Sequence, residues 1–300
     1  MKYLSVKDFA NKWHVSERTV RNYCAYGRIA NAYIEGGVWF IPDDAMMPNR
    51  INMNHNKNQL LFALRFEKRE GIKGMIYHRL QIDMTYNSNH IEGSKLTYDE
   101  TRYIFETRTI GIEEKNKVYK IDDLVETINH FECIDRVIDF ANYELSANFI
   151  KELHKLLKTG TSETRKPYFA VGDYKKLANE VGGTQTTPPH LVAVEIDKLL
   201  KEYNEKTEHS FDEILDFHVK FERIHPFQDG NGRVGRLIVF KECLKNNIVP
   251  LIITEELKMH YYRGLSKWNT EKGWLRDTCL FGQDIVKKHL DYFGIKYKND

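Results

Sequence analysis

Apolar residues recur at helical spacing through most of the chain beyond residue 58, and this periodicity constrains the fold more than any other feature. Positions three and four apart share one face of a helix, so such runs predict amphipathic helices with one buried face. The periodicity predicts helices over residues 60–86, 98–107, 121–141, 146–157, 194–203, 211–224, 233–246 and 254–265. We therefore expect a mostly α-helical domain over residues 58–300.

One segment, residues 168–189, departs from the helical period. It contains β-branched residues, two prolines and the pair Gly182-Gly183, a combination that is typical of a tight turn between strands. The segment is therefore predicted to form a β-hairpin between two helices.

Two short helices are predicted near the N-terminus. Ser5 and Ser16 are residues that often cap a helix, and acidic residues follow each of them within the first turn. These signals indicate helices over residues 5–13 and 16–26.

A hairpin and a linker are predicted to follow these helices. Apolar residues lie on both sides of Gly36-Gly37, which is a signal for a two-residue hairpin turn. Residues 42–57 are rich in Asn and Pro and have no periodicity, as is typical of a linker. Helices followed by a hairpin predict a winged helix-turn-helix module over residues 1–48.

Charge and hydropathy exclude several classes of protein. Lys and Arg number 45 against 43 Asp and Glu, without blocks of like sign, so a nucleic-acid-binding tail and an acidic tail are excluded. The longest apolar run, residues 248–253, is far shorter than the roughly 20 residues of a membrane helix. The N-terminus has no apolar stretch typical of a signal peptide. We expect a cytoplasmic protein without a membrane partner.

The twelve residues HPFQDGNGRVGR, 225–236, carry most of the chemical information. A helix is expected to end before Pro226 and another to start near Arg233. Gly230 and Gly232 allow a ligand to approach the backbone, and N–H groups at a helix N-terminus attract anions. Arg233 and Arg236 share one face of the second helix, where their guanidinium groups suit phosphate oxygens.

Two further side chains complete this group. Asp229 is a hard carboxylate of the kind that Mg²⁺ takes as a ligand beside phosphates, and His225 is suited to accept a proton near neutral pH. The group therefore predicts a site for a Mg²⁺-nucleotide with a general base. An ordinary turn with its histidine and arginines on a solvated face is the alternative for an isolated loop of this kind.

The whole string resembles the signature HxFx(D/E)GN(G/K)RxxR of the Fic family, and the resemblance extends over residues 60–265. It implies the transfer of AMP from ATP to a Ser, Thr or Tyr hydroxyl, with His225 as the base and Asp229 holding Mg²⁺. It also implies that residues 230–232 bind phosphates through their amides and the Asn231 side chain. Arg233 and Arg236 would bind the β- and γ-phosphates.

Two other family features are implied by the same resemblance. The hairpin segment, about residues 168–189, falls where the family has a flap that holds the target protein. The related Doc branch transfers a terminal phosphate and has lysine at the second loop glycine. Gly232 therefore favours nucleotidyl transfer over phosphoryl transfer.

An upstream string, Ser88-Asn-His-Ile-Glu92-Gly93, is similar to the [S/T]xxxE[G/N] motif of the family's inhibitory helix. The resemblance places this helix at about residues 80–93. It also implies that Glu92 pairs with Arg236 and thereby keeps the γ-phosphate of ATP from binding there. The alternative is a serine and a glutamate that only happen to lie one helical turn apart.

The N-terminal module resembles excisionase- and MerR-like DNA-binding modules. Its second helix contains Arg18, Arg21 and Asn22, which suit phosphates and base edges. Seven cations against five anions in residues 1–50 make a weak electrostatic footprint for a DNA-binding module. Docking on the helical domain or on a partner protein is therefore the alternative.

These observations predict a self-inhibited protein adenylyltransferase whose substrate is Mg²⁺-ATP. Removal of AMP, or transfer of another nucleotide at the same site, is the first alternative. A DNA-binding regulator that uses the helical domain as a ligand sensor is the second. The target protein is unidentified, and the protein itself is one candidate. DNA is a candidate partner for residues 1–48. Whether the protein forms a homodimer is left open.

Overall fold

The computed structural model describes residues 3–25, 29, 32–35, 38–47, 58–110 and 118–298. Helices dominate the residues described beyond position 58, so the prediction of a mostly helical fold is confirmed. In these ranges no helix combines the length and the apolar character that crossing a bilayer requires.

The described residues of the N-terminal part form two short helices and three short strands. The strands pair into one antiparallel sheet in the order β1-β3-β2, and buried side chains such as Phe9 and Val20 form a separate apolar cluster. The predicted turn at 36–37 and residues 48–57 of the predicted linker lie outside the described residues. In chain order the elements are β1 (Tyr3–Leu4), α1 (Val6–Trp13), α2 (Glu17–Ala25), β2 (Tyr33–Glu35) and β3 (Val38–Pro42).

In the larger part, the described residues form helices, a short 3₁₀ turn at Ser162–Arg165 and a small hairpin. The elements follow in the order α3 (Gln59–Glu70), α4 (Ile76–Ile91), α5 (Tyr98–Thr107), α6 (Ile121–Phe140), α7 (Ala147–Lys158), β4 (Glu180–Val181), β5 (Thr184–Gln185), α8 (Pro189–Asn204), α9 (Phe211–Ile224), α10 (Asn231–Lys245), α11 (Glu255–Lys267) and α12 (Lys272–Tyr292).

Helix α10 runs through the middle of the helical core. Most of its residues are buried, and α4, α6, α7 and α9 pack around it. Arg233 and Arg236 are therefore buried on a helix whose surroundings come from distant parts of the chain.

The single helix predicted over residues 60–86 is two helices in the structure. Gly71 ends α3 in a left-handed conformation with a φ of 65°, and α4 begins at Ile76. Glycine adopts this backbone conformation without the strain that a side chain would cause, so it ends the helix here. The SNHIEG motif, residues 88–93, forms the last turn of α4 and the two residues that follow it.

Helix α12 lies beyond the last predicted helix. A Cβ atom added at Gly282 would lie 2.7 Å from the carbonyl oxygen of Ile252, and one added at Gly264 of α11 would lie 2.6 Å from the Leu275 Cα. Close backbone packing therefore requires glycine at these positions. Because glycine lowers helix propensity, the local pattern underestimates helix formation here.

A two-stranded hairpin lies inside the predicted flap segment. Strands β4 and β5 pair antiparallel, with Glu180 opposite Gln185. Gly182 and Gly183 join them, and both have positive φ angles, as a type I′ hairpin turn requires. The strands are exposed, so this hairpin presents its edges to solvent.

Candidate active site

The loop between α9 and α10 and the first turn of α10 hold the histidine and glycines that the sequence singled out. Helix α9 begins in a capping box between Ser210 and Glu213, and His225 ends it in a left-handed conformation with a φ of 52°. Gly230 precedes α10 with a φ of 82°. The second helix begins two residues earlier than predicted, so the loop is tighter than the sequence suggested.

The N-terminus of α10 has backbone N–H groups that no side chain caps. Gly230 occupies the capping position and has no side chain to offer. The first N–H groups of a helix have no partner within the helix, and the helix dipole makes this end attractive to anions. The first turn of α10 therefore has the geometry of an anion-binding site.

Asn231 determines the shape of the loop. Its Oδ1 accepts a hydrogen bond of 2.8 Å from the Phe227 N–H, and its Nδ2 donates one of 2.9 Å to the Phe227 carbonyl. The side chain is buried, with both ends of its amide bonded inside the loop. Asn231 thus holds the loop closed, and the phosphate contact predicted for its side chain stays a prediction.

His225 is half-buried and in the orientation of a proton acceptor. Its Nδ1 lies 3.3 Å from the Glu222 carbonyl, which can only accept, so Nδ1 carries the hydrogen and Nε2 keeps its lone pair. Burial lowers the pKa of the imidazole, and the nearby Lys175 ammonium lowers this pKa further. The neutral form of the imidazole is therefore favoured at neutral pH.

Three carboxylates surround the ammonium group of Lys158. Its Nζ lies 2.6 Å from Asp229 Oδ2 and 2.5 Å from Glu163 Oε2, and it also contacts Glu126. One oxygen of each carboxylate lies within 4.8 Å of the others. Carboxylate oxygens are preferred ligands of hard cations, so this donor set fits Mg²⁺, although the Lys158 ammonium lies between the carboxylates in this structure.

Asp229 is ionised in this environment. Burial opposes its ionisation, but the Arg233 and Lys158 charges outweigh burial and hold the pKa of this carboxyl well below its usual range. Arg233 Nη2 lies 3.3 Å from Asp229 Oδ2, while Nη1 bonds Glu126. Arg233 is thus held from both sides by carboxylates before any ligand is present.

Arg236 is bound by the end of α4. Its Nη2 donates to Glu92 Oε1 at 2.7 Å and to the Ser88 carbonyl at 3.0 Å, and its Nε donates to Ser88 Oγ at 3.0 Å. Burial by itself would lower the pKa of the guanidinium, but Glu92 outweighs burial and raises it. The SNHIEG motif and the second arginine of the twelve-residue string therefore meet in space.

Gly232 allows the Glu92 carboxylate to reach this position. A Cβ atom added at residue 232 would lie 2.3 Å from Glu92 Oε1 and 3.0 Å from Arg236 Nη1. The first distance is too short for a real contact, and the second would require the guanidinium to shift slightly. The second loop glycine is thus required by the Glu92 contact as well as by the predicted approach of a ligand.

Three residues of the site have no signal in the sequence. Glu126 on α6, Lys158 at the end of α7 and Lys175 before the hairpin all lie against the loop, although each is about fifty residues or more from it in the chain. No spacing relates them to the string 225–236. What marks them is that their charged side chains are largely buried, which is unusual for lysine and glutamate. This burial can be seen only in the folded chain.

Residues 144–242 match the Fic/DOC family. The family resemblance of the loop and its flanking helices is therefore confirmed for this part of the chain.

Curated relatives from Drosophila are similar to most of the chain. The protein adenylyltransferase Fic of Drosophila sechellia is 27% identical over 238 residues, and that of Drosophila willistoni is 29% identical over 239 residues. Each match covers 77% of this chain, and the chain spans less than half of the length of these relatives, 44% and 43% respectively.

Solved structures share the fold at lower identity. A Fic domain containing signaling protein from Bacteroides thetaiotaomicron superposes with a TM-score of 0.58 at 22% identity, over 77% of this chain and 90% of that one. Fic-1 from C. elegans superposes with a TM-score of 0.56 at 18% identity, over 78% of this chain and 72% of that one. The helical arrangement is therefore that of a Fic domain.

Proposed function

We propose that the protein uses its Fic/DOC domain to transfer AMP from Mg²⁺-ATP to a hydroxyl group of a protein. The observation that carries this proposal is the loop between α9 and α10: a neutral histidine stands at one end and an uncapped helix N-terminus at the other. A base and an anion site separated by one short loop suit the attack of a hydroxyl on a bound phosphate. The names of the curated relatives support the same activity.

The loop and the start of α10 then supply the groups that the reaction needs. His225 Nε2 accepts the proton of the target hydroxyl as its oxygen attacks the α-phosphorus, and pyrophosphate leaves with the electron pair of the broken P–O bond. The N–H groups at the start of α10 bind phosphate oxygens, and Arg233 and Arg236 neutralise their charge. Asp229 would hold Mg²⁺, which supplies further charge neutralisation when it is bound.

We also propose that Glu92 inhibits this reaction. Its carboxylate lies 2.7 Å from the Arg236 guanidinium. This guanidinium is the group proposed to bind the γ-phosphate of ATP. A carboxylate and a phosphate cannot share one guanidinium edge, because they repel each other. ATP would then bind with its phosphates displaced until α4 moves.

Labelled nucleotides test the proposed activity. The protein and its Glu92→Gly variant would be incubated with Mg²⁺ and cell lysate, using ATP labelled at the α- or the γ-phosphate in parallel. We expect protein to retain the α-label only, and mass spectrometry to locate AMP on Ser, Thr or Tyr. Retention of the γ-label would indicate phosphoryl transfer, and labelling from GTP or UTP would indicate another nucleotide. Loss of AMP from previously modified protein would support the reverse activity.

A second proposed function is DNA binding by the N-terminal part. Helix α2 exposes Arg18 and Arg21, although Arg21 forms an ion pair of 2.6 Å with Glu17 that DNA would have to break. We expect weak binding of duplex DNA by the full chain, with an affinity that falls steeply as salt concentration rises.

This binding is measured by titrating the full chain and a variant with Arg18→Ala and Arg21→Ala against genomic fragments at several salt concentrations. Equal binding by both proteins, or none at low salt, would favour docking on a protein.

A further inference from the structure

Lys175 is a buried lysine at the root of the hairpin. Its side chain is 3% exposed, and its Nζ donates to Asn179 Oδ1 at 2.7 Å, Thr186 Oγ1 at 2.6 Å and the Ile224 carbonyl at 3.4 Å. Nowhere in the described part of the chain does a carboxylate form an ion pair with it, so its acceptors are neutral oxygens. This distinguishes Lys175 from Lys158, which three carboxylates compensate.

A buried ammonium with neutral partners is costly to the fold. Desolvation lowers the pKa of Lys175 to about 8, so the group still carries its charge at neutral pH. A methionine or leucine of similar size would fill the same space without this cost. The position of the charge therefore calls for an explanation beyond packing.

The hydrogen bonds around Lys175 connect the root of the hairpin to the chain segment 224–228, which contains His225. The Lys175 N–H donates to the Pro226 carbonyl at 2.8 Å, and Asn179 Nδ2 donates to the Phe227 carbonyl at 3.1 Å. The Leu177 N–H donates to Gln228 Oε1 at 3.2 Å. Lys175 Nζ adds the bond to Ile224, the residue immediately before the histidine. The hairpin and the loop are thus joined as one unit by residues on both sides of His225.

Charged groups from three elements influence His225. Lys175 acts from the hairpin root, Glu92 from the end of α4 and Asp229 from the loop itself, while the Glu222 carbonyl bonds Nδ1. Glu92, Asp229 and the Glu222 carbonyl favour the protonated imidazole. Among these charges only Lys175 opposes protonation, and it does so in addition to burial. If Glu92 moves away, Lys175 and Asp229 remain as the charged groups that act on His225.

We propose that Lys175 is a positioning residue for the transfer reaction, which holds the hairpin on the peptide of His225 and keeps the imidazole in its neutral, proton-accepting form. The inference rests on the proposed function, since it assigns a role toward the proposed base. It requires both the hydrogen bonds and the charge of Lys175. Arginine should therefore replace it in part, whereas methionine should not.

The experiment compares Lys175→Met, Lys175→Arg and the exposed neighbour variant Lys176→Met, each in the Glu92→Gly background. The pKa of His225 is measured by NMR in the protein without nucleotide, with its signal assigned by its loss in His225→Ala. AMP incorporation is measured across pH in parallel. The NMR measurement needs no activity, so failure of the proposed function and failure of this inference give different results.

We expect Lys175→Met to raise the pKa of His225 and to move the acid limb of the pH–rate profile up by about half a pH unit. The direction follows because removal of a neighbouring positive charge makes protonation easier. Transfer at pH 7 should fall about tenfold, since the hairpin and the base also lose their common anchor. Lys175→Arg should keep the pKa and most of the activity, and Lys176→Met should change neither.

An unchanged pKa of His225 in Lys175→Met would overturn the inference. So would a loss of activity in Lys175→Arg equal to that in Lys175→Met, because the charge would then be irrelevant. If Lys175→Met fails to fold, Lys175→Gln serves for the same titration, since its amide can still donate to the Ile224 carbonyl without carrying charge.

Discussion

Replacing Glu92 by glycine is expected to raise AMP incorporation, into the protein itself and into targets, at least about tenfold. The substitution removes the carboxylate that bonds Arg236 and leaves the guanidinium free for a phosphate. Glu92 lies at the C-terminal cap of α4, so glycine there does not interrupt the helix. The measurement is incorporation from α-labelled ATP, compared between the variant and the original protein at equal concentrations.

The same substitution should lower the stability of the protein without nucleotide. Removing one partner of a fully buried ion pair costs about 3 to 5 kcal/mol. The Glu92 side chain is 29% exposed, so we expect a smaller loss of about 2 kcal/mol. ATP should restore part of this loss by giving Arg236 a new partner, which thermal unfolding with and without nucleotide would detect.

Two further variants isolate the cause of the activation. Glu92→Gln keeps the size and hydrogen bonding of the side chain without its charge, so we expect intermediate activity. Adding Arg236→Ala to Glu92→Gly should abolish the gain, because the proposed phosphate-binding group is then missing. A Glu92→Gly protein no more active than the original would show that α4 does not inhibit transfer.

Replacing His225 by alanine is expected to reduce transfer by about 10² to 10⁴-fold, the usual contribution of a general base. Affinity for Mg²⁺-ATP should stay within a few fold, because the imidazole is proposed to contact the incoming hydroxyl and not the phosphates. Transfer rates and nucleotide affinity are measured separately, in the Glu92→Gly background so that the signal is large.

Asp229→Ala provides the contrast to this variant. It should weaken metal-dependent nucleotide binding and leave metal-independent binding less affected, since Asp229 is proposed to hold Mg²⁺. It also leaves the Lys158 ammonium with two carboxylates instead of three. Substantial transfer by His225→Ala would show that another group accepts the proton.

Most helices could be predicted from the sequence because their signals are local. The apolar period of α9 and its Ser210–Glu213 capping box lie within the helix, so the predicted and observed bounds of α9 coincide. Where glycine interrupts the apolar period, the local signal fails in two ways: it can miss the end of a helix, and it can miss a whole helix. The apolar period predicts a continuous helix across Gly71, where the structure has a break, and it does not predict α12, which contains Gly282.

The candidate site divides in the same way. The loop could be predicted from local residues alone: a histidine, an aspartate and two glycines within a few residues dictate a tight turn at a helix N-terminus, because backbone geometry and helix dipoles act over short distances. The residues that surround this loop became known only from the folded chain. Packing of α4, α6, α7 and the hairpin around α10 brought Glu92, Glu126, Lys158 and Lys175 against it. Their charges could be buried only after the core had excluded water, and burial of that kind depends on contacts between residues that are far apart in the chain.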